Sequence, residues 1–146
     1  MDIAERFGRR AQGWRNLYNP SNQFLQPRYG AAWREAFDPT EVTFEYTEAN
    51  GWQYNFFVPH DISGHMALLG GPEGYAQMLD SMFNGPSRLS GRHQSDITGL
   101  IGQYAHGNEP SHHMAYLPAF AGYPERTQVL VDSICDALYA AEPDGL

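Results

Sequence analysis

Apolar residues recur at helical spacing along most of this chain, so the pattern predicts a mainly α protein. In residues 2–17, Ile3, Phe7, Ala11, Trp14 and Leu17 form one stripe behind Asp2, a residue suited to cap a helix start. Tyr18-Asn19-Pro20-Ser21-Asn22 ends that stripe with turn chemistry. From Gln23 to Glu45 the pattern is short and irregular, with prolines at 27 and 39. A loop is expected there, carrying a small strand pair around Phe24–Leu25 and Val42–Phe44. A second helix is expected over Thr47–Val58, with Thr47 as its cap, Asn50-Gly51 as a weak spot and Pro59 at its end. His60–Leu69 reads as a short helix closed by Gly70-Gly71, and Pro72 is well placed to open another over Glu73–Phe83. Beyond the loop Asn84–Gln94, helical stretches are expected at Asp96–Ala105, Glu109–Ala121 and Pro124–Ala141. Helices joined by such short connections pack as antiparallel hairpins. Neither a flexible linker nor an exact repeat divides the chain, which reads as one unit.

Composition narrows the partners. Seventeen Asp and Glu stand against nine basic residues, all arginine, for a net charge of -8. An acidic chain without a basic run is a poor match for nucleic-acid phosphates or an anionic membrane surface. The surplus carboxylates keep the chain soluble, and carboxylates are also the usual ligands of calcium. The one cysteine, Cys135, excludes an internal disulfide and a structural zinc site. Its apolar surroundings, Val131 to Leu138, predict a buried inert thiol. The chain lacks an apolar run long enough to cross a bilayer, and its first residues are too polar for a signal peptide. Aromatic residues make up 14% of the chain, and they serve equally as core filler and as platforms for sugar rings.

Two stretches concentrate chemistry. In Glu45-Tyr46-Thr47-Glu48-Ala49-Asn50-Gly51-Trp52-Gln53-Tyr54, a continuous helix would put Glu48, Trp52 and Asn55 on one face with Gln53 beside them. A carboxylate against an indole has its acidic form favoured by desolvation, as a general acid requires. A capping acid at a helix start explains Glu48 as well. In Gly102-Gln103-Tyr104-Ala105-His106-Gly107-Asn108-Glu109-Pro110-Ser111-His112-His113, three histidines lie among amide and carboxylate side chains. Their spacing does not suit zinc, and the oxygens of Gln103, Asn108 and Glu109 suit a hard cation better. A polar helix junction with satisfied histidines explains the same residues. His60-Asp61, the glycines around Pro72 and the Ser87–Ser95 loop carry weaker signals, without the context of a phosphate loop or a nucleophile elbow.

The block from Tyr46 to Tyr54 with Val58-Pro59-His60-Asp61, and the block from Gly99 to His113, resemble signature segments of glycoside hydrolase family 92. Trp14-Arg15-Asn16-Leu17, Phe37-Asp38-Pro39 and Pro143-Asp144-Gly145-Leu146 follow in the same order, so the resemblance runs along essentially the whole chain. Gly51 departs from it, standing where alanine is expected, and residues 62–66 are also unusual.

The resemblance implies an inverting, exo-acting, calcium-dependent α-mannosidase that acts on mannose-containing glycans. Such enzymes work outside the cytoplasm: periplasmic, cell-surface or secreted. α-1,2 linkages are the expected target, although preference depends on contacts beyond the first sugar. It further implies that residues 1–146 are one segment of a helical catalytic domain, antiparallel hairpins forming part of an (α/α)6 barrel. The partners are then the remainder of that unit, including a β-sandwich half. Inversion needs one carboxylic acid for the leaving oxygen and a second carboxylate to activate water. By resemblance Glu48 is the acid, while the base comes from an acidic segment expected after Leu146. Trp52, Gln53, His106, Asn108, Glu109, His112 and His113 would contact substrate, with Gln53, Asn108 and Glu109 as calcium ligands. The isolated chain is therefore expected to be inactive. The competing reading is a non-catalytic carbohydrate-binding or interaction module derived from such an enzyme.

Overall fold

The computed structural model describes residues 2–142; Pro143-Asp144-Gly145-Leu146 lie outside the described residues. The chain is substantially helical, but four two-stranded ladders are interleaved with its helices.

Asp2 accepts a hydrogen bond from the Ile3 N–H and starts α1, Ile3–Ala11, which ends earlier than the apolar stripe suggests. At Gln12-Gly13 the chain tightens into a 3-10 helix, Gly13–Leu17. Ile3 and Phe7 are exposed, and no residue of α1 is buried. The strand pair expected between Phe24–Leu25 and Val42–Phe44 does not form. Phe24–Leu25 (β2) pairs antiparallel with Tyr18–Asn19 (β1), because Asn19 turns the intervening residues by accepting from Ser21 N–H and Gln23 adopts a left-handed conformation. Arg28–Tyr29 (β3) and Ala32–Trp33 (β4) make a hairpin, and Glu41–Val42 (β5) pairs in parallel with Ser90–Gly91 (β6).

The second helix is also shorter than expected. α2 covers Gly51–Asn55 and is capped by Asn50, not Thr47. Asn50 and Gln53 form a reciprocal capping box, an arrangement that satisfies two free N–H groups at once. Gly51 fits its place sterically: a Cβ there would lie 2.8 Å from Phe37 Cζ and 3.1 Å from Pro39 Cα. α3, Ile62–Leu68, is capped by Asp61, and α4, Gly71–Asn84, opens through Gly70 and Gly71 in left-handed conformations followed by Pro72.

The largest departure lies at Asp96–Ala105, expected to be helical. Leu100–Ile101 (β7) and Tyr104–Ala105 (β8) form a hairpin whose two-residue turn begins at Gly102 with φ +59°. A glycine with positive φ at the first turn position is a hairpin signal. A side chain at Gly102 would collide with the carbonyls of Met82 and Phe83, so the turn abuts the end of α4. Glu109–Tyr116 is a 3-10 helix leading into a short α5, Leu117–Phe120, and α6 runs Pro124–Leu138. Cys135 is exposed on α6, where the apolar stretch had predicted burial; Ile134 is the residue that turns inward. One helical residue is a rotation of roughly 100°, enough to move a side chain from core to solvent.

Neighbouring helices pack in pairs, α3 with α4 and α5 with α6. The six α-helices among the described residues do not by themselves close a barrel of six helical pairs. Among the described residues no helix is long and apolar enough to cross a membrane. The main core joins Phe56, Leu79, Met82, Tyr104, Met114 and Ile134, so α2, α4, β8, the 3-10 segment and α6 share one interior.

His65 is fully buried in that region, edge-on to Trp14, Phe56 and Tyr75, and neither ring nitrogen has a hydrogen-bond partner. Burial pushes its pKa down to about 4. Between that value and the ordinary histidine value of about 6.5, the unfolded chain binds a proton that the folded chain refuses. Stability is then present above pH ~6.5 and lost as pH falls toward 4, by about 3 kcal/mol in full. Denaturant unfolding at stepped pH is expected to show this loss, and His65→Phe to flatten it; an unchanged acid limb in the variant would assign the loss to other groups.

Candidate active site

Three buried amide side chains fix the site's frame. Asn50 Nδ2 donates to Gln103 Oε1 (3.1 Å), and Gln53 Nε2 donates to the Gln103 carbonyl (2.7 Å). Gln103 Nε2 in turn donates to the carbonyls of Pro86 and Arg88, and its backbone N–H to that of Met82. This network ties the start of α2 to the turn of the β7–β8 hairpin and to the loop after α4.

Glu48 lies just before this start, in an irregular segment held by its neighbours. The Tyr46 hydroxyl donates to the Leu25 carbonyl, Thr43 N–H to the Ala49 carbonyl, and Gln94 Nε2 to the Thr47 carbonyl. Since Glu48 precedes the helix, the face shared with Trp52 and Asn55 does not exist. Asn55 instead accepts from Leu25 N–H and so joins α2 to β2.

Glu48 opens onto a cleft of about 320 Å³ between this segment, α2 and the 3-10 helix. Thr47, Gln53, Tyr54 and Phe57 line one side; Asn108, Pro110, Ser111 and Met114 line the other. Among the described residues Glu48 is the only carboxylate that lines the cleft, and it makes no hydrogen bond or ion pair with them. Asn108 and Ser111 sit on one turn, joined by Ser111 N–H to the Asn108 carbonyl at 2.9 Å. Both side chains are buried, and the Ser111 hydroxyl has no partner.

The histidines do other work. His113 places its two ring nitrogens against the carbonyls of Pro110 (3.0 Å) and Phe56 (2.8 Å), which braces one wall of the cleft against the other. His106 lies between the hydroxyls of Tyr104 and Tyr139, 2.7 Å from each, and stacks on His112 at 4.4 Å. Burial, then the neighbouring His112, lowers its pKa. His106 and His112 face a separate cavity of about 290 Å³ beside α6. Trp52 packs edge-on against Phe24 at 4.8 Å, away from the cleft, and Glu109 is exposed and not among the lining residues. The residues singled out in the sequence thus divide: Glu48, Gln53 and Asn108 meet in one cleft, and the others do not.

The profile of the glycosyl hydrolase family 92 catalytic domain matches residues 1–146. The chain belongs to this family. Its fold resembles that of a family GH92 α-mannosidase from Bacteroides thetaiotaomicron solved with mannoimidazole, at 32% identity and a TM-score of 0.82, over 94% of this chain and 19% of that one. A family GH92 inverting mannosidase of the same organism matches at 34% identity and TM-score 0.81, over 99% of this chain and 21% of that one. An uncharacterized secreted glycosidase of Arthroderma benhamiae is 28% identical over 144 residues, 82% of this chain and 17% of that protein. The chain thus spans about a fifth of the length of these glycosyl hydrolase family 92 relatives.

Of the three residues implied as calcium ligands, Gln53 and Asn108 line the cleft, and Glu109 follows Asn108 in the chain without being among the lining residues. Gln53 Oε1 accepts from Asn50 N–H, which leaves one of its two lone pairs free. Calcium takes roughly six to eight oxygens. Among the described residues no three His, Cys, Asp or Glu side chains could hold a metal together. Three side chains supply only part of such a shell. Thr47, Tyr54, Phe57, Ser111 and Met114 were not singled out in the sequence as site residues. Ser111 lay inside the Gly99–His113 block, but its missing hydrogen bond is visible only in the packed structure.

Replacing Gln103 by leucine strands the Arg88 carbonyl and takes one partner each from the Asn50 amide, which keeps the Thr40 carbonyl, and the Pro86 carbonyl, which keeps the Arg88 N–H, at a loss of about 3 kcal/mol. A double-mutant cycle with Asn50→Ala in urea unfolding is expected to be strongly non-additive. Additive losses would show that the two amides act separately.

Proposed function

We propose that this chain contributes the general acid of an inverting, exo-acting α-mannosidase, and that Glu48 is that acid. The observation that carries the proposal is the single carboxylate that lines the cleft among the described residues, open to a ligand and without a partner among them. A terminal mannoside bound there would take a proton from Glu48 on its glycosidic oxygen as the bond to the anomeric carbon breaks. Water would enter from the opposite face, losing its proton to a second carboxylate, and the sugar would leave with inverted configuration. Among the described residues no other carboxylate lines this cleft, so the base is assigned to the remainder of the catalytic unit. Roughly 6.5–9.5 Å separates such a pair in inverting glycosidases, which suits a base supplied by another segment.

The wider reading follows the relatives. The substrate is a mannose-containing glycan, and the work is done outside the cytoplasm, consistent with the relative named as secreted. Calcium would assist by holding sugar hydroxyls. Gln53, Asn108 and Glu109 would supply part of its shell, and the rest would come from outside the described residues. The barrel of helical hairpins is likewise completed by segments beyond these.

Glu48→Gln in the protein encoded by its native gene is expected to lower kcat by about 10² to 10⁴ with little change in KM. The loss should shrink for aryl mannosides whose phenol leaves without protonation. A kcat within twofold of wild type on an alkyl mannoside would refute the assignment. The isolated 146-residue chain, with no second carboxylate in the cleft among its described residues, is expected to show no turnover; measurable release of mannose by it, lost in Glu48→Gln, would overturn the division of labour.

A further inference from the structure

We infer that Phe57 is a specificity-determining residue of the cleft, its ring the surface that holds the sugar beyond the cleaved bond; this rests on the mannosidase reading above. Burial grades the cleft by depth. Gln53, Asn108, Ser111 and Met114 are buried and form its floor, whereas Glu48 and Tyr54 are half-buried. Thr47, Phe57 and Pro110 stand exposed at its mouth. An exo-acting enzyme takes the terminal sugar deepest into its site, and the rest of the glycan leaves through the open end. Glu48, between floor and mouth, is then level with the oxygen that joins the first two rings. The second ring falls at the mouth, beside Phe57.

The chemistry of Phe57 suits that ring. Its side chain is 45% exposed, while Phe56 before it is fully buried, so the turn after α2 sends one phenylalanine to the core and the next to the cleft. A pyranose carries C–H groups on its faces and hydroxyls around its edge. A flat apolar ring covers such a face and leaves the edge hydroxyls to water or to other partners. The Phe57 ring is also fixed before a ligand arrives. Tyr54 flanks it with ring centroids 6.1 Å apart, and His113 meets it edge-on at 5.9 Å. The same imidazole sits against the carbonyls of Pro110 and Phe56, so both lips of the mouth are held by one side chain. A surface fixed in this way has little freedom left to lose on binding.

The test uses the protein encoded by the native gene, with α-linked mannobiose of its preferred linkage and methyl α-mannoside as substrates. Only the first offers a second ring. In Phe57→Leu, which is apolar but not flat, the ratio of kcat/KM for mannobiose to that for methyl α-mannoside is expected to fall about tenfold, chiefly through the KM for mannobiose. Phe57→Tyr keeps a flat ring and is expected to hold the ratio within about threefold of wild type. Because both substrates are measured on one preparation, the ratio does not depend on how much of a variant is folded. An unchanged ratio in Phe57→Leu, as when another segment of the catalytic unit covers this ring in place of a sugar, would overturn the role of Phe57. So would an equal fall in Phe57→Tyr, since flatness would then not matter. Either result leaves the enzyme reading intact. Failure of wild type to release mannose from either substrate would instead overturn the mannosidase reading, and this inference with it.

Discussion

The arrangement of this chain depends on a small set of buried amides. Asn50, Gln53 and Gln103 exchange hydrogen bonds across three pieces of backbone that are distant in sequence. Without them the first turn of α2 would have free N–H groups in the interior, and the hairpin turn would have no anchor on that helix. Buried donors and acceptors left unpaired are more damaging than a paired bond is helpful. The network therefore acts as a geometric requirement on its neighbours. Glu48, two residues before the cap, takes its position from this requirement and from the buried Tyr46 and Ala49 on either side.

How much could be read from the sequence depended on the source of each signal. α4 and α6 were legible because local chemistry and periodicity agree there: Gly70, Gly71 and Pro72 open one, and Pro124 opens the other. The start of α2 was misread because Thr47 is an acceptable cap on its own. The better signal was Asn50 followed three residues later by Gln53. The β7–β8 hairpin was misread as helix because its apolar residues are too few to reveal a period, and Gly102 should have outweighed them. Cys135 shows the limit of composition: an apolar stretch says that a helix has a buried side, not which of two adjacent residues is on it.

The candidate site divides in the same way. Glu48, Gln53 and Asn108 were found through a family resemblance, and the fold brings them to one cleft. The same resemblance pointed to His106, His112 and His113, which the structure uses in hydrogen bonds to backbone or tyrosine, and to Trp52, which packs inward. Within one block, residues that hold a wall and residues that line the cleft stand side by side. Their chemistry is the same on paper, and only burial and direction separate them.

The amide network has an electrostatic consequence. Every side chain in it is uncharged at any pH a protein meets, and so is the backbone it binds. An acid that releases and regains a proton in each turnover changes the local charge by one unit twice per cycle. A frame built from ion pairs would feel each change and shift with it. A frame built from neutral amides has no net charge to be attracted or repelled, so the carboxyl group can alternate between its two states while its supporting backbone stays in one.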